Sequence, residues 1–256
     1  MYDITLIMPT SQFRQLLRLL PSPKQKELGR KRCKKRSMIT GILQVLRLGT
    51  RWQDIHNCGC SYSSCYRYFK ELQRRGEFKL LFKALSHQKT DPTECASDTD
   101  TIWSQRFKSQ VGWSGRHRLN GTKISLLSDK RGLPSDIIIE SAKTHDGSFV
   151  DQHIENTQGR RKRVINLDKI YASLERRRNY RQKGIQVNME TRANDYKHKK
   201  GPKFKLNKER YKVRFLIERL FAWFENFKRL RYRVDCHISS FRAFVYLAAI
   251  IILIRN

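Results

Sequence analysis

Apolar residues recur at helical spacing through the first third of the chain. Phe13, Leu16, Leu17 and Leu20 share one face of residues 10–20, which open on a Thr10–Ser11 cap and end before Pro21 and Pro23. Met38, Ile39, Ile42, Leu43 and Leu46 make a second stripe, with Ser37 as its expected cap and Gly49 as its stop. Trp52 and Ile55 mark a short helix. Ser61 or Ser63 can cap a further one over Cys65–Arg75, stopped at Gly76. Glu77–Ser86 reads as a closing helix, and His87–Glu94, with Pro92, as a linker.

From Cys95 the texture changes to short β-rich runs. Asp98–Gln105, Thr122–Ser128 and Ser135–Ser141 predict three strands of an antiparallel meander, joined by a Gly-rich loop and the turn D-K-R-G-L-P. Asp146 is placed to cap a helix over Gly147–Asn156. Arg163–Leu167 predicts a fourth strand ending at Asp168, and Gly184–Met189 a fifth, after an Arg-rich helix. In Tyr211–Arg229, at about 100° per residue, Val213, Leu216, Ile217, Leu220, Phe224 and Phe227 form one stripe. Tyr211, Arg214, Glu218 and Glu225 fall opposite it. Ala243–Ile254 is strongly apolar, yet short of the roughly 20 residues that span a bilayer, and reads as a buried core helix. This element order predicts an α/β class: an RNase H-like mixed sheet flanked by helices, preceded by a small all-α domain. The boundaries expected are 1–88 and 89–256.

Charge narrows the function. Lys and Arg total 54 against 23 acidic residues, a formal charge of +31. Such an excess repels itself unless a polyanion offsets it, and nucleic acid is the expected partner ahead of an anionic membrane surface. With 39% hydrophobic residues the chain still fills a core, so it is no disordered basic tail. The first short helix, a Gly-containing turn and the basic helix after it fit a helix-turn-helix unit, with Arg67, Lys70, Arg74 and Arg75 on the reading helix. An αα-hairpin with a solvated face is the alternative. The basic stretch Lys24–Arg36 reads as an arm on phosphates, and Arg116, Arg118 and Lys123 as further phosphate contacts.

Six cysteines accompany no secretory leader, since Met1–Leu20 contains Asp3, Pro9, Arg14 and Arg18. Free thiols in a reducing cytoplasm are expected. His56, Cys58, Cys60 and Cys65 are close in sequence, but C-x-C-x4-C lacks the usual paired C-x2-C spacing, so packing or surface thiols are expected rather than zinc.

The acids carry the chemistry. Asp98 and Asp168 lie in or just after strands, and Glu218 on a late helix. Three such carboxylates, buried together, repel unless divalent cations sit among them, and two Mg²⁺ ions about 3.5–4 Å apart suit phosphodiester chemistry. Asp100, on the same strand face as Asp98, is the alternative ligand. Asp129 fits a turn, Asp146 a cap, and His145 gives a weak hint of substrate contact.

Taken together, D-T-D-T-I at 98–102, G-R-H-R-L-N-G-T-K-I-S-L-L-S-D at 115–129, R-G-L-P at 131–134, T-H-D at 144–146, L-D-K-I-Y at 167–171 and Tyr211, Arg214, Glu218 with F-A-W-F-E-N-F-K-R-L resemble the insertion-sequence DDE transposases of the insertion sequence 5 group. G-R-K-R at 29–32 and R-L-G-T-R-W-Q-D-I at 47–55 are similar to their N-terminal segment. The resemblance implies a catalytic and metal-binding triad of Asp98, Asp168 and Glu218 with Mg²⁺ or Mn²⁺. It also implies DNA contacts by Tyr211 and Arg214, and a homo-oligomer on paired double-stranded DNA ends. Strand cleavage and transfer at terminal inverted repeats would be the activity, with a structure-selective nuclease or a non-catalytic DNA-binding copy as rivals. Two departures stand out: Ile170 replaces a usual Gly, with distortion of its loop expected, and Glu225 replaces a usual basic residue.

Overall fold

The computed structural model describes residues 8–25, 31–104, 109–157, 164–171, 173–190 and 205–256. Gly29 and Arg30 of the basic arm, residues 1–7, Gln105 and Arg163 lie outside the described residues. Along the chain come helices α1 (Thr10–Leu19), α2 (Lys35–Leu48), α3 (Tyr62–Arg74) and α4 (Glu77–Lys89). Strands β1 (Glu94–Trp103), β2 (Gly112–Ser114), β3 (Leu119–Asp129) and β4 (Pro134–Ser141) follow, then α5 (Asp146–Asn156), β5 (Val164–Leu167), α6 (Leu174–Gln182) and β6 (Gln186–Asn188). Helices α7 (Lys208–Tyr211), α8 (Val213–Glu225) and α9 (Ile238–Arg255) close the order.

The chain forms two compact units. One takes Met1–Leu85, Ile102–Val111 and Trp223–Asn256; the other takes Ser86–Thr101 and Gly112–Ala222. In the first, α9 packs with α1 and α3. The physical reason is its composition. α9 is apolar on every side and buries Phe241, Phe244, Leu247, Ile250 and Leu253, so it needs the single-stripe helices around it. Phe69 of α3 stacks on Phe244 of α9 with ring centroids 4.4 Å apart, and Trp52 lies beside both. By length and composition α9 could also cross a bilayer, but most of it is buried within this unit.

Several helix starts differ from expectation. α1 begins after Pro9 with no side-chain cap, and α2 begins at Lys35, two residues ahead of Ser37. Lys35 Nζ donates to the Leu20 carbonyl at 2.8 Å, which fixes that first turn. Ser61 does cap α3, accepting from Ser64 N. The predicted short helix at Trp52 is a three-residue 3₁₀ turn, so the two packed helices here are α2 and α3, joined by a longer connection than a helix-turn-helix has. α4 runs on to Lys89 and shortens the expected linker.

The second unit is built on a mixed sheet. Its path is β2-β3-β1-β5-β6, with β4 also paired to β3. β2 and β4 run antiparallel to successive stretches of β3, while β1, β5 and β6 are parallel. The short strand β2 had no sequence signal of its own. Cys95, Leu127, Val150, Ile154, Ile165, Leu167, Tyr171 and Tyr180 form the core between this sheet and α5 and α6. This is the RNase H-like mixed sheet with flanking helices that the element order predicts. The predicted single helix Tyr211–Arg229 is instead α7 and α8 in sequence, and Phe227 lies past the end of α8.

Candidate active site

β1 and β5 pair in parallel with Ser97 opposite Leu167. Asp98, midway along β1, and Asp168, just past the end of β5, are each the next residue, so the two acids sit side by side on neighbouring parallel strands. Asp168 thus lies at the carboxyl end of β5, where α/β sheets place their sites. Backbone amides fix one oxygen of each: Thr99 N donates to Asp98 Oδ1 at 2.9 Å, and Lys169 N to Asp168 Oδ1 at 2.7 Å. The other oxygens face Arg214 of α8, whose Nη2 lies 3.8 Å from Asp98 Oδ2 and 3.4 Å from Asp168 Oδ2. Its Nη1 lies 3.5 Å from Glu218 Oε1, one helical turn onward. Asp98, Asp168 and Glu218 therefore surround one guanidinium, and Asp100 instead accepts from the Thr101 amide.

These ion pairs are looser than the usual 2.7–2.9 Å of charge-assisted hydrogen bonds. Arg214 Nε is buried with no hydrogen-bond partner among the described residues. Burial pushes the Asp98 carboxyl above its ordinary value; the Thr99 amide and Arg214 oppose that shift, and the Asp168 charge adds to it. Tyr211 sits with its ring 5.9 Å from the Arg214 guanidinium carbon, and burial raises its phenol as well. Three carboxylates against the Arg214 guanidinium and the Arg116 charge that also acts on Asp98 still leave negative charge in excess on hard oxygen donors. That donor set suits a hard divalent cation.

The surroundings hold the acids in place. Tyr171 is buried, and its hydroxyl donates to Thr99 Oγ1 at 3.4 Å, beside Asp98. Ile170 lies in the 3₁₀ turn Lys169–Tyr171, outside the residues of positive φ, and packs against the core, so the expected distortion is absent. Below Asp98, Ser125 Oγ donates to its carbonyl at 3.4 Å and lies 2.9 Å from His153 Nε2. His153 Nδ1 in turn lies 2.8 Å from Asp136, which also accepts from Asn156 at 3.1 Å. The Ser–His–Asp order matches a nucleophile triad, but Ser125 and His153 are fully buried, so the network braces the strand. The sequence reading gave no role to Tyr171, Asp136 or His153. Only Tyr171 left a trace, as the last residue of L-D-K-I-Y.

The remaining candidates are placed as follows. Lys123 Nζ pairs with Asp146 Oδ1 at 2.6 Å and donates to the Thr144 carbonyl at 2.8 Å. Asp146 is thus drawn away from capping, and the His145 ring caps α5 by accepting from Gly147 N. Asp129 is fully buried and accepts from the Arg131 and Leu133 amides, a turn role. In the other unit Arg67 and Arg74 are exposed on α3, while half-buried Lys70 donates to Gln73 and Ser240. Arg67, Arg74, Lys31 and Arg32 line one open groove. Glu225, at the end of α8, is exposed.

Comparison with known proteins gives concordant matches. A family profile described as "Transposase DDE domain" matches residues 85–254, and one described as "Putative transposase of IS4/5 family" matches residues 8–82. The insertion element IS402 uncharacterized 16.2 kDa protein of Burkholderia cepacia is 35% identical over 94 residues, 33% of this chain. The match spans 64% of that relative's length. The piggyBac transposase, solved as a synaptic complex with hairpin DNA, superposes with a TM-score of 0.54 at 10% identity, over 95% of this chain and 69% of that one. At that identity it supports the fold alone. With two thirds of its length matched by the transposase profile and its sheet of the same fold, this chain belongs to the DDE transposase family.

Proposed function

We propose that this chain is an insertion-sequence DNA transposase, binding terminal inverted repeats and using one acidic site for strand cleavage and strand transfer. The observation that carries the reading is the meeting of Asp98, Asp168 and Glu218 around Arg214. In this reading the three acids hold two divalent cations, Mg²⁺ or Mn²⁺. When bound, such ions acidify a water or a DNA 3′-hydroxyl and offset charge on the leaving oxygen.

The chain's own groups supply position. The Thr99 and Lys169 amides hold Asp98 and Asp168 with one oxygen each turned to the site, which spares reorganisation during the reaction. Glu218, the most exposed of the three at 58%, is the acid on the solvent side, where a duplex enters. Arg214 then exchanges its carboxylates for a phosphate, steadied by the Tyr211 ring. Lys123 reaches DNA by exchanging Asp146.

Arg67, Lys70 and Arg74 would contact the transposon end in duplex form, and the +31 charge would be neutralised on DNA. Residues 1–88 would serve end recognition and 89–256 catalysis. A homo-oligomer would hold two ends together, acting on nucleoid DNA in the cytoplasm. The test is an assay of the full chain with inverted-repeat duplex, target plasmid and Mg²⁺ or Mn²⁺. Joined product from the wild type, and none from Asp98→Asn with end binding intact, supports the reading. Cleavage without joining would leave a nuclease; binding without either would leave a DNA-binding protein.

A further inference from the structure

We propose that Cys58, Cys60, Cys65 and Cys33 form a structural zinc site in the N-terminal helical unit. The Sγ atoms of Cys58, Cys60 and Cys65 lie 3.8, 3.9 and 3.3 Å apart. Four thiolates at about 2.3 Å from a tetrahedral zinc stand about 3.8 Å from one another, so the three sulfurs already sit near the edges of that tetrahedron. They are the group of ligand-type atoms among the described residues that lie within 4.8 Å of one another. A disulfide requires about 2.05 Å, and all of them are free thiols.

The backbone is shaped for this meeting. Gly59 takes φ +82, which lets Cys58 and Cys60 turn their sulfurs to one side, and Asn57 before it takes φ +52. Cys65 arrives from the first turns of α3. Its sulfur rests on bare Gly41 of α2, where a Cβ would stand only 2.5 Å away. The fourth ligand is Cys33, which lines the same groove as Cys60 but stands outside the three sulfurs that lie within 4.8 Å of one another, so it would close on the ion as the ion binds. His56 is not used, because its exposed ring turns to the Asp54 carbonyl.

Charge favours the same conclusion. Zinc with four thiolates carries a net charge of −2, after release of four thiol protons. Lys31, Arg67 and Arg74 line the groove beside Cys33 and Cys60 and would offset it, while Arg32 there is paired with Glu71 at 2.6 Å. The ion would tie the basic segment at 31–36 to the loop entering α3, setting both sources of phosphate contacts relative to each other. Sequence spacing hid this, since the ligands come from C-x24-C-x-C-x4-C rather than from two short pairs.

The full chain, purified reduced without a metal-binding tag, is assayed for zinc by elemental analysis and, after exchange to Co²⁺, by absorption. One zinc per chain is expected, with a tetrahedral spectrum whose thiolate charge-transfer intensity corresponds to four sulfurs. Half-buried Cys60→Ser should lower metal affinity at least tenfold, and Cys33→Ser should reduce the spectrum to three sulfurs. Exposed Cys236→Ser and the acidic-site variant Asp98→Asn should keep the full zinc content. Absence of zinc in the wild type, or a cobalt spectrum unchanged by Cys60→Ser, would overturn the site. An unchanged spectrum in Cys33→Ser would overturn the fourth ligand.

Discussion

The Arg214 guanidinium stands 3.4 Å from the Asp168 carboxylate and, through its other nitrogen, 3.5 Å from Glu218 on its own helix. One arginine thus stands where the proposed cations would be most attracted, as an internal counter-charge that a divalent ion must displace. Arg214→Gln removes the competitor without removing a ligand. Affinity for Mn²⁺, read by thermal shift or electron paramagnetic resonance titration, should rise about tenfold, or roughly 1.4 kcal/mol. Strand transfer should fall, because the proposed phosphate contact goes with the guanidinium. A weaker Mn²⁺ site in the variant would show that Arg214 supports the ions instead.

Asp98 gives a stability prediction of opposite sign to its activity prediction. Burial raises its carboxyl in the fold above the unfolded value of about 3.9. A raised carboxyl contributes stability that is present below the unfolded pKa and lost as pH rises through the folded one. At neutral pH the metal-free fold therefore carries the cost of a buried charge. Asp98→Asn should raise Tm at pH 7 by roughly 2–4 °C for each 1 kcal/mol relieved, with the gap closing toward pH 4. Mn²⁺ should stabilise the wild type and not the variant, while strand transfer drops at least ~100-fold. A variant less stable than wild type at pH 7 would contradict the burial cost.

Asp136 behaves in the opposite way. Burial alone would raise it, but the hydrogen bond and charge of His153, with the Asn156 amide, bring it below the ordinary carboxylate range. A depressed carboxyl contributes stability that is present above the unfolded pKa of about 3.9 and lost as pH falls through the lower folded value. Asp136→Asn should therefore cost about 3 kcal/mol at pH 7, since it leaves His153 and Ser125 without their anchor. The deficit should shrink toward pH 3. Urea unfolding at the two pH values decides it; a deficit independent of pH would mean the residue acts by packing alone.

What the sequence revealed, and what it hid, follows from the range of the interactions. The end of β5 at Asp168 was legible because an apolar run stops beside it; Asp98 was expected to open a strand and instead lies midway along β1, where the parallel register makes the two acids neighbours. The Glu218 face was legible from helical period, although α8 starts only at Val213. Helix caps failed where a distant group intervened: Lys35 is tied to the Leu20 carbonyl, and Asp146 is drawn to Lys123 while His145 caps. Grouping α9 with α1 and α3 depends on which stripes face it, which no local pattern records. The meeting of Cys58, Cys60 and Cys65 needs the bare surface of Gly41, a residue far from them in sequence.

Gly132 couples a surface turn to the acidic site. The R-G-L-P turn presses on α8, and Arg219 Nη2 donates to the Arg131 carbonyl at 2.7 Å. At Gly132 the backbone has φ +81, and a Cβ would stand 3.1 Å from Leu216 Cβ and 3.2 Å from its carbonyl oxygen. Leu216 lies between Arg214 and Glu218 on that helix, so a push there moves both. Gly132→Ala should cost about 1–3 kcal/mol from backbone strain, and should also reduce strand transfer at temperatures where the variant remains folded. Gly184 supplies the control, with φ +72 and nothing within 4 Å of an added Cβ. Gly184→Ala should pay the strain and keep its activity. Equal activity in the two variants, measured well below both melting points, would mean that the turn does not position Glu218.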